Sequence, residues 1–262
     1  MSTGVRSPRR AQIPDKTLRQ DNWWLSPLIT FVVFTAFVIY ATWRAFAGSK
    51  YYASPYLSPF YSPCLSDDCV EGSSDFGTPF SFWQLSPALI VLIFPLGFRM
   101  SCYYYRKAYY RAFWLSPPAC AVAEPHGKYT GEKRLPLIIN NIHRYFWYAA
   151  MVVAVILSYD VVLAFRNEDH EWGHMGLGTL LMLVNIVFIW LYTLSCHSCR
   201  HTVGGRLRHF SKHPVRYQAW TFVSKLNNKH AMFAWVSLFS VALVDLYVYL
   251  LANGTFDDPR FF

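Results

Sequence analysis

Charge is the scarcest commodity in this chain. Of its 262 residues only 15% are Asp, Glu, Lys or Arg, while 54% are hydrophobic and 19% aromatic. A soluble domain of this size needs far more polar surface, so that class is excluded and a membrane protein is read instead. The first apolar run is not expected to be a cleavable secretory signal: the charged residues 1–24 precede it, and no small-residue cleavage site follows it. Internal repeats are not evident, and the apolar runs hold few polar residues and no odd helix break beyond Pro95. A transporter is therefore a weak reading.

What the chain does have is five long apolar blocks, Leu25–Ala47, Phe82–Phe98, Ile138–Phe165, Met175–Leu194 and Ala231–Leu251. Each approaches the roughly 20 residues a helix needs to cross a hydrocarbon core. The second is short and contains Pro87 and Pro95, which membrane helices tolerate where neighbours satisfy the freed carbonyls. The expected fold is thus an all-α membrane protein of five transmembrane helices. A segment 1–24 precedes a single domain over 25–251, and a tail over 252–262 follows it.

Charge sets the expected orientation. Segments 1–24, 99–144 and 195–230 hold 20 of the 24 Lys and Arg, whereas the alternate segments hold nine of the fifteen acids. Lys and Arg mark the cytoplasmic side. The N-terminus is expected inside, the C-terminus outside, and the loops 99–137 and 195–230 are expected to be basic and cytoplasmic. The net charge of +9 is then topology plus attraction to anionic lipid or an acidic partner. Nucleic acid is not an expected partner, because the basic residues lie beside membrane spans.

Cysteine and histidine sort by side. Cys64 and Cys69 fall in an outer Pro/Ser/Asp-rich loop, where four intervening residues and an oxidising exterior favour a disulfide. Cys102, Cys120, Cys196 and Cys199 lie inside, with His126, His143, His197, His201, His209, His213 and His230. The plain explanation is reduced thiols, and histidines contacting lipid phosphate; it suits His209 and His213. Spacing argues otherwise for LSCHSCRH: Cys196 and Cys199 are helical i,i+3 neighbours and His197 and His201 are i,i+4 neighbours. One helix end can present one such pair inward, so Cys120 and His126 in the other inner loop are the candidates to complete the set. If these fail, the site would be rebuilt from Cys102, His143 and His230.

Four Cys/His ligands suit structural zinc in a scaffold or sensor, or a [2Fe–2S] group with two Cys and two His. Haem is the third option. His143 and His230 stand at the inner ends of their spans, and no span has a histidine deeper. Two stacked haems are therefore not expected, while one inner haem b stays open.

At CYYYRKAYYRAFWLSPPACAVAEPH and LSCHSCRHTVGG the chain resembles the membrane-anchor subunit of the actinobacterial type of succinate dehydrogenase. The likeness extends through TLRQDNWWLSPL, FYSPCL, SPALIVLIFPLGFR, NNIHRYFWY and SKHPVRY. The resemblance implies a plasma-membrane anchor for a flavoprotein and an iron–sulfur subunit on the cytoplasmic face, in a complex that can oligomerise. It implies electron delivery to menaquinone through a membrane-embedded Rieske-type [2Fe–2S] centre in place of haem. The chain itself has no flavin motif, so succinate oxidation would belong to another chain.

Arg106 and Arg200, within the basic loops, would dock an acidic partner or steady a semiquinone. Tyr105, Trp114, His143 and His230 would contact the quinone, although most aromatics there suit an interfacial belt. Two acids fall inside spans, Asp160 and Asp245. Buried membrane acids are usually paired and often functional, and Arg166 is the obvious partner for either.

Overall fold

The computed structural model describes residues 19–65, 72–78, 85–122, 133–135 and 137–262. Cys69 and His126 lie outside the described residues. The helices are α1 (Leu25–Ala47), α2 (Ala88–Val91), α3 (Ile93–Ser101), α4 (Tyr103–Phe113), α5 (His143–Leu163), α6 (Leu177–Leu194), α7 (His197–Gly204), α8 (Pro214–Asn227) and α9 (His230–Ala252). A minimal antiparallel hairpin pairs β1 (Tyr52–Ala53) with β2 (Tyr56–Leu57). Among the described residues four helices are long and apolar enough to cross a membrane, and a fifth crossing is counted if the bent pair Ala88–Ser101 and Tyr103–Phe113 is one span.

That pair departs from the expected second span. Its two prolines mark helix starts: Pro87 caps α2 and Pro95 sits in the first turn of α3, where backbone N–H groups have no intrahelical partner. Ala88–Ser101 rises only about 21 Å at roughly 1.5 Å per residue, short of a hydrocarbon core of about 30 Å. At Cys102 the backbone turns extended (φ −68, ψ 131) and α4 leaves at 74°. The basic segments 99–137 and 195–230 are likewise not plain loops, since they contain α4, α7 and α8.

Helices do not associate in lipid by hiding apolar surface, because lipid is as apolar as leucine; close packing and polar contacts hold them instead. The bundle follows that rule. Helix α6 lies along α9, α5 on α3 and α6, and α1 on α4. A Cβ on Gly97 would stand 2.2 Å from the Phe146 ring, and one on Gly178 would stand 2.6 Å from the Tyr56 ring. Both glycines are what allow those approaches. Helix α1 stands at the edge, with only 6% of its apolar window buried.

Polar staples close the end away from the basic segments. Arg44 and Asp245, both fully buried, pair at 2.8 Å, and Tyr40 and Ser58 also donate to Asp245. Arg166 therefore does not take the role expected of it. It donates instead to the carbonyls of Leu163 and Gly72. Asp160 accepts the Ser62 hydroxyl, and Ser62 in turn meets Ser74. The segment 252–262 is strapped down: Phe261 N–H donates to Met175 O at 2.8 Å, and Asp258 accepts from Tyr56 (2.7 Å) and Gly178 N–H (2.9 Å). Cys64 is disulfide-bonded and fully buried beneath this end.

Candidate functional site

At the basic end, four helix termini converge. Cys102 caps α4, His143 begins α5, Cys196 caps α7 and His230 begins α9. Cys102, Cys196 and His230 are each 1% exposed, so whatever they do is done out of water. Cys102 Sγ lies 3.6 Å from His230 Nε2, and His143 Nε2 lies 3.2 Å from Cys196 Sγ.

The convergence is built from two copies of one local unit. Phe98-x-x-Ser101-Cys102 ends α3, and Tyr192-x-x-Ser195-Cys196 ends α6. In each copy the aromatic ring stacks on a histidine, Phe98 on His143 (5.0 Å, 12°) and Tyr192 on His230 (5.0 Å, 16°). The serine meets the same ring at Nδ1, Ser101 to His143 at 2.8 Å and Ser195 to His230 at 2.7 Å. The cysteine then turns extended and faces the other copy's histidine. Each unit thus holds one imidazole from behind and offers its thiol to the second. The repeat FRMSC and YTLSC is visible in the sequence, but at five residues it is far shorter than a repeated helix and carries no periodic signal.

Electrostatics suit soft ligands. Burial pushes the Cys196 thiol up to about 12, against which the Ser198 backbone N–H works as a donor to the sulfur. With nothing bound the thiol keeps its proton, and a cation is needed to bring out the thiolate. The Arg99 guanidinium lies 4.9 Å over the Tyr192 ring and donates to Tyr105, Ala234 O and Ser237. Among the described residues no three His, Cys, Asp or Glu converge on a single ion position. The four side chains meet as two Cys–His pairs.

Of the six residues singled out as metal ligands, His126 lies outside the described residues, and among the other five only Cys196 belongs to this convergence. Cys199 is buried in the core of α7, where burial raises its thiol. His197 stacks on Tyr104, and burial, then Arg200 and His201, lower its pKa. His201 lines an open hollow of about 280 Å³ with His143, Arg144, Tyr145, His197, Ser198, Asn140 and Asn141. Cys120 is exposed, and its carbonyl accepts from Arg19. An i,i+3 face shared by Cys196 and Cys199 needs one continuous helix, but α6 stops at Leu194 and α7 starts afresh at His197. His197 and His201 do share α7, yet there they meet Tyr104 and the open hollow.

Of the residues singled out for quinone or docking, Tyr105 is buried and donates to Ala234 O, a helix-to-helix staple. Arg106 lies over Tyr103, and Arg200 binds Ser224 and covers Trp220, gluing α7 to α8. Trp114 is half-exposed among Tyr109, Tyr110 and Phe113. Beside it a second hollow of about 240 Å³, apolar, is lined by Trp23, Trp24, Pro27, Leu28, Phe31, Ala112 and Leu115.

No curated protein matches the chain. Among solved structures, a chain described as Mycobacterium smegmatis Sdh1 complex in the apo form matches over 100% of both chains, at 56% identity and a TM-score of 0.88. A family model described as actinobacterial succinate dehydrogenase subunit SdhC matches residues 25–254, most of the polypeptide. With its apolar helices and buried polar end, the chain belongs to the family of the actinobacterial succinate dehydrogenase subunit SdhC.

Proposed function

We propose that this membrane subunit carries electrons from an iron–sulfur partner at its basic face to a quinone, menaquinone by resemblance, and that Cys102, Cys196, His143 and His230 hold a [2Fe–2S] group of Rieske type. The observation that carries this reading is the donor set. Two buried thiols and two imidazoles, each with Nε2 turned to a sulfur, are what such a group takes as ligands. When bound, it supplies one-electron transfer at a potential that imidazole ligation raises above that of an all-cysteine cluster.

The chain's own residues do the rest. The aromatic stacks fix the two ring planes, and the apolar cluster of Phe98, Trp147, Tyr192, Phe233 and Leu238 excludes water. The basic segments around α4, α7 and α8 face the cytoplasm in this reading, by the bias of Lys and Arg, and present positive charge to an acidic partner. The apolar hollow between α1 and α4 has the chemistry for an isoprenoid tail. Structural zinc takes the same two Cys and two His donors, so the second reading is separated from the first by which metal the complex holds.

Metal analysis tests the reading. The purified complex is expected to hold more iron and acid-labile sulfide than its soluble iron–sulfur subunit holds alone, with a Rieske-like electron paramagnetic resonance signal in the membrane part. Zinc without that extra iron would sink the proposal. A haem b spectrum would instead point to axial ligation by His143 and His230.

A further inference from the structure

We infer that Ser101 and Ser195 are positioning residues: each locks one histidine in the tautomer that carries its proton on Nδ1, leaves Nε2 free as a ligand, and makes that ligand more electron-rich. This rests on the cluster reading above and extends it to residues that do not touch the bound group.

The inference follows from counting protons. A serine hydroxyl has one hydrogen and can donate once. Ser101 Oγ spends its hydrogen on the Gly97 carbonyl at 2.6 Å, one turn back in α3. Ser195 Oγ spends its own on the Tyr192 carbonyl at 3.0 Å. Toward the imidazoles both oxygens can therefore only accept, so Nδ1 of His143 and Nδ1 of His230 must be the donors. The opposite tautomer would either set two acceptors face to face or take the serine hydrogen away from its helix carbonyl, and both serines are buried from the water that could make good the loss. The neutral ring then has its only lone pair at Nε2, the atom directed at sulfur in both pairs.

Two consequences follow. An acceptor on the rear N–H of a ligating imidazole raises the basicity of the ligating nitrogen. That favours the oxidised, more positive cluster and lowers its potential. The rear edge of both rings is also closed by the protein, so neither Nδ1–H is free to hydrogen-bond a quinone. Head-group contacts must come from other side chains at this end.

The test is a redox titration of the intact complex, followed by electron paramagnetic resonance, for wild type, Ser101→Ala, Ser195→Ala and the corresponding Thr variants. Each alanine variant is expected to shift the cluster's midpoint to higher potential and to lose iron to a chelator about 10- to 100-fold more readily. The threonine variants keep the hydroxyl and should stay near wild type. Alanine variants that retain the wild-type potential would overturn the inference while leaving the cluster reading intact. Absence of any Rieske-like signal in wild type would instead overturn the cluster reading, and this inference with it. If the alanine variants assemble without iron, retention of iron by the threonine variants supports the inference, and its loss there overturns it.

Discussion

On the proposed function, Cys196→Ser will leave a complex that assembles and oxidises succinate with an artificial acceptor, yet reduces quinone only at background rate. Cys102→Ser will do the same. Both thiols are 1% exposed and each faces a histidine nitrogen across the site. A serine hydroxyl is a hard, weakly acidic ligand where a soft thiolate is wanted. The Rieske-like signal should vanish with quinone reduction. Cys120→Ser, Cys199→Ser and His201→Ala form the contrast set. The first is exposed, the second packs in the core of α7, and the third lines the outer hollow. All three should keep the signal. If Cys199→Ser or His201→Ala removed it while Cys102→Ser did not, the ligands would be those suggested by spacing within LSCHSCRH, and the assignment made from the helix ends would be wrong.

Replacing Arg44 by Met will destabilise the protein more than any surface change, by about 3–5 kcal/mol, the usual cost of leaving one member of a buried ion pair alone. Asp245 would lose its cation at 2.8 Å while staying buried between α1 and α9, with only the Tyr40 and Ser58 hydroxyls left. The double variant Arg44→Met with Asp245→Leu should recover most of the loss, because a pair replaced by apolar groups of similar volume is often neutral. Thermal unfolding of the detergent-solubilised complex checks both. Unfolding of the single variant at the wild-type temperature would show that the pair carries no stability. A double variant as unstable as the single one would mean that the hydrogen bonds to Tyr40, Ser58 and the 49–50 carbonyls, rather than the charge, hold α1 in place.

The two halves of the Arg44–Asp245 pair differ in how far the sequence reveals them. Asp245 stood out in the sequence as an acid inside a span, and its need for a partner was evident. Its partner was not. Arg44 falls inside the first apolar block, where nothing local separates a cation that faces a buried acid from one that reaches toward the membrane surface. Arg166 was nearer along the chain to Asp160 and was the natural choice, but its guanidinium turns to the carbonyls of Leu163 and Gly72. Proximity in sequence is a poor guide when helices associate through a few polar contacts.

By itself the sequence determined which stretches become membrane helices. Helix α1 coincides with the first block, and α6 and α9 match theirs to within two residues, because helix length in a bilayer follows from the run of apolar side chains alone. It also determined that thiols and imidazoles gather at one end. Only the tertiary structure decided which of them meet. Cys102, His143, Cys196 and His230 lie far apart along the chain, and no spacing rule relates them. They come together because α3 and α6 each stop at a Ser–Cys step while α5 and α9 each start at a histidine, at the same end of the bundle. Spacing within LSCHSCRH does not foretell the convergence, for the same reason. A helical i,i+3 relation needs unbroken helix, and the extended backbone at Cys196 (φ −65, ψ 146) rotates Cys199 into the core. Whether a helix continues or breaks at a given residue depends on what packs against it, and that is settled by the fold.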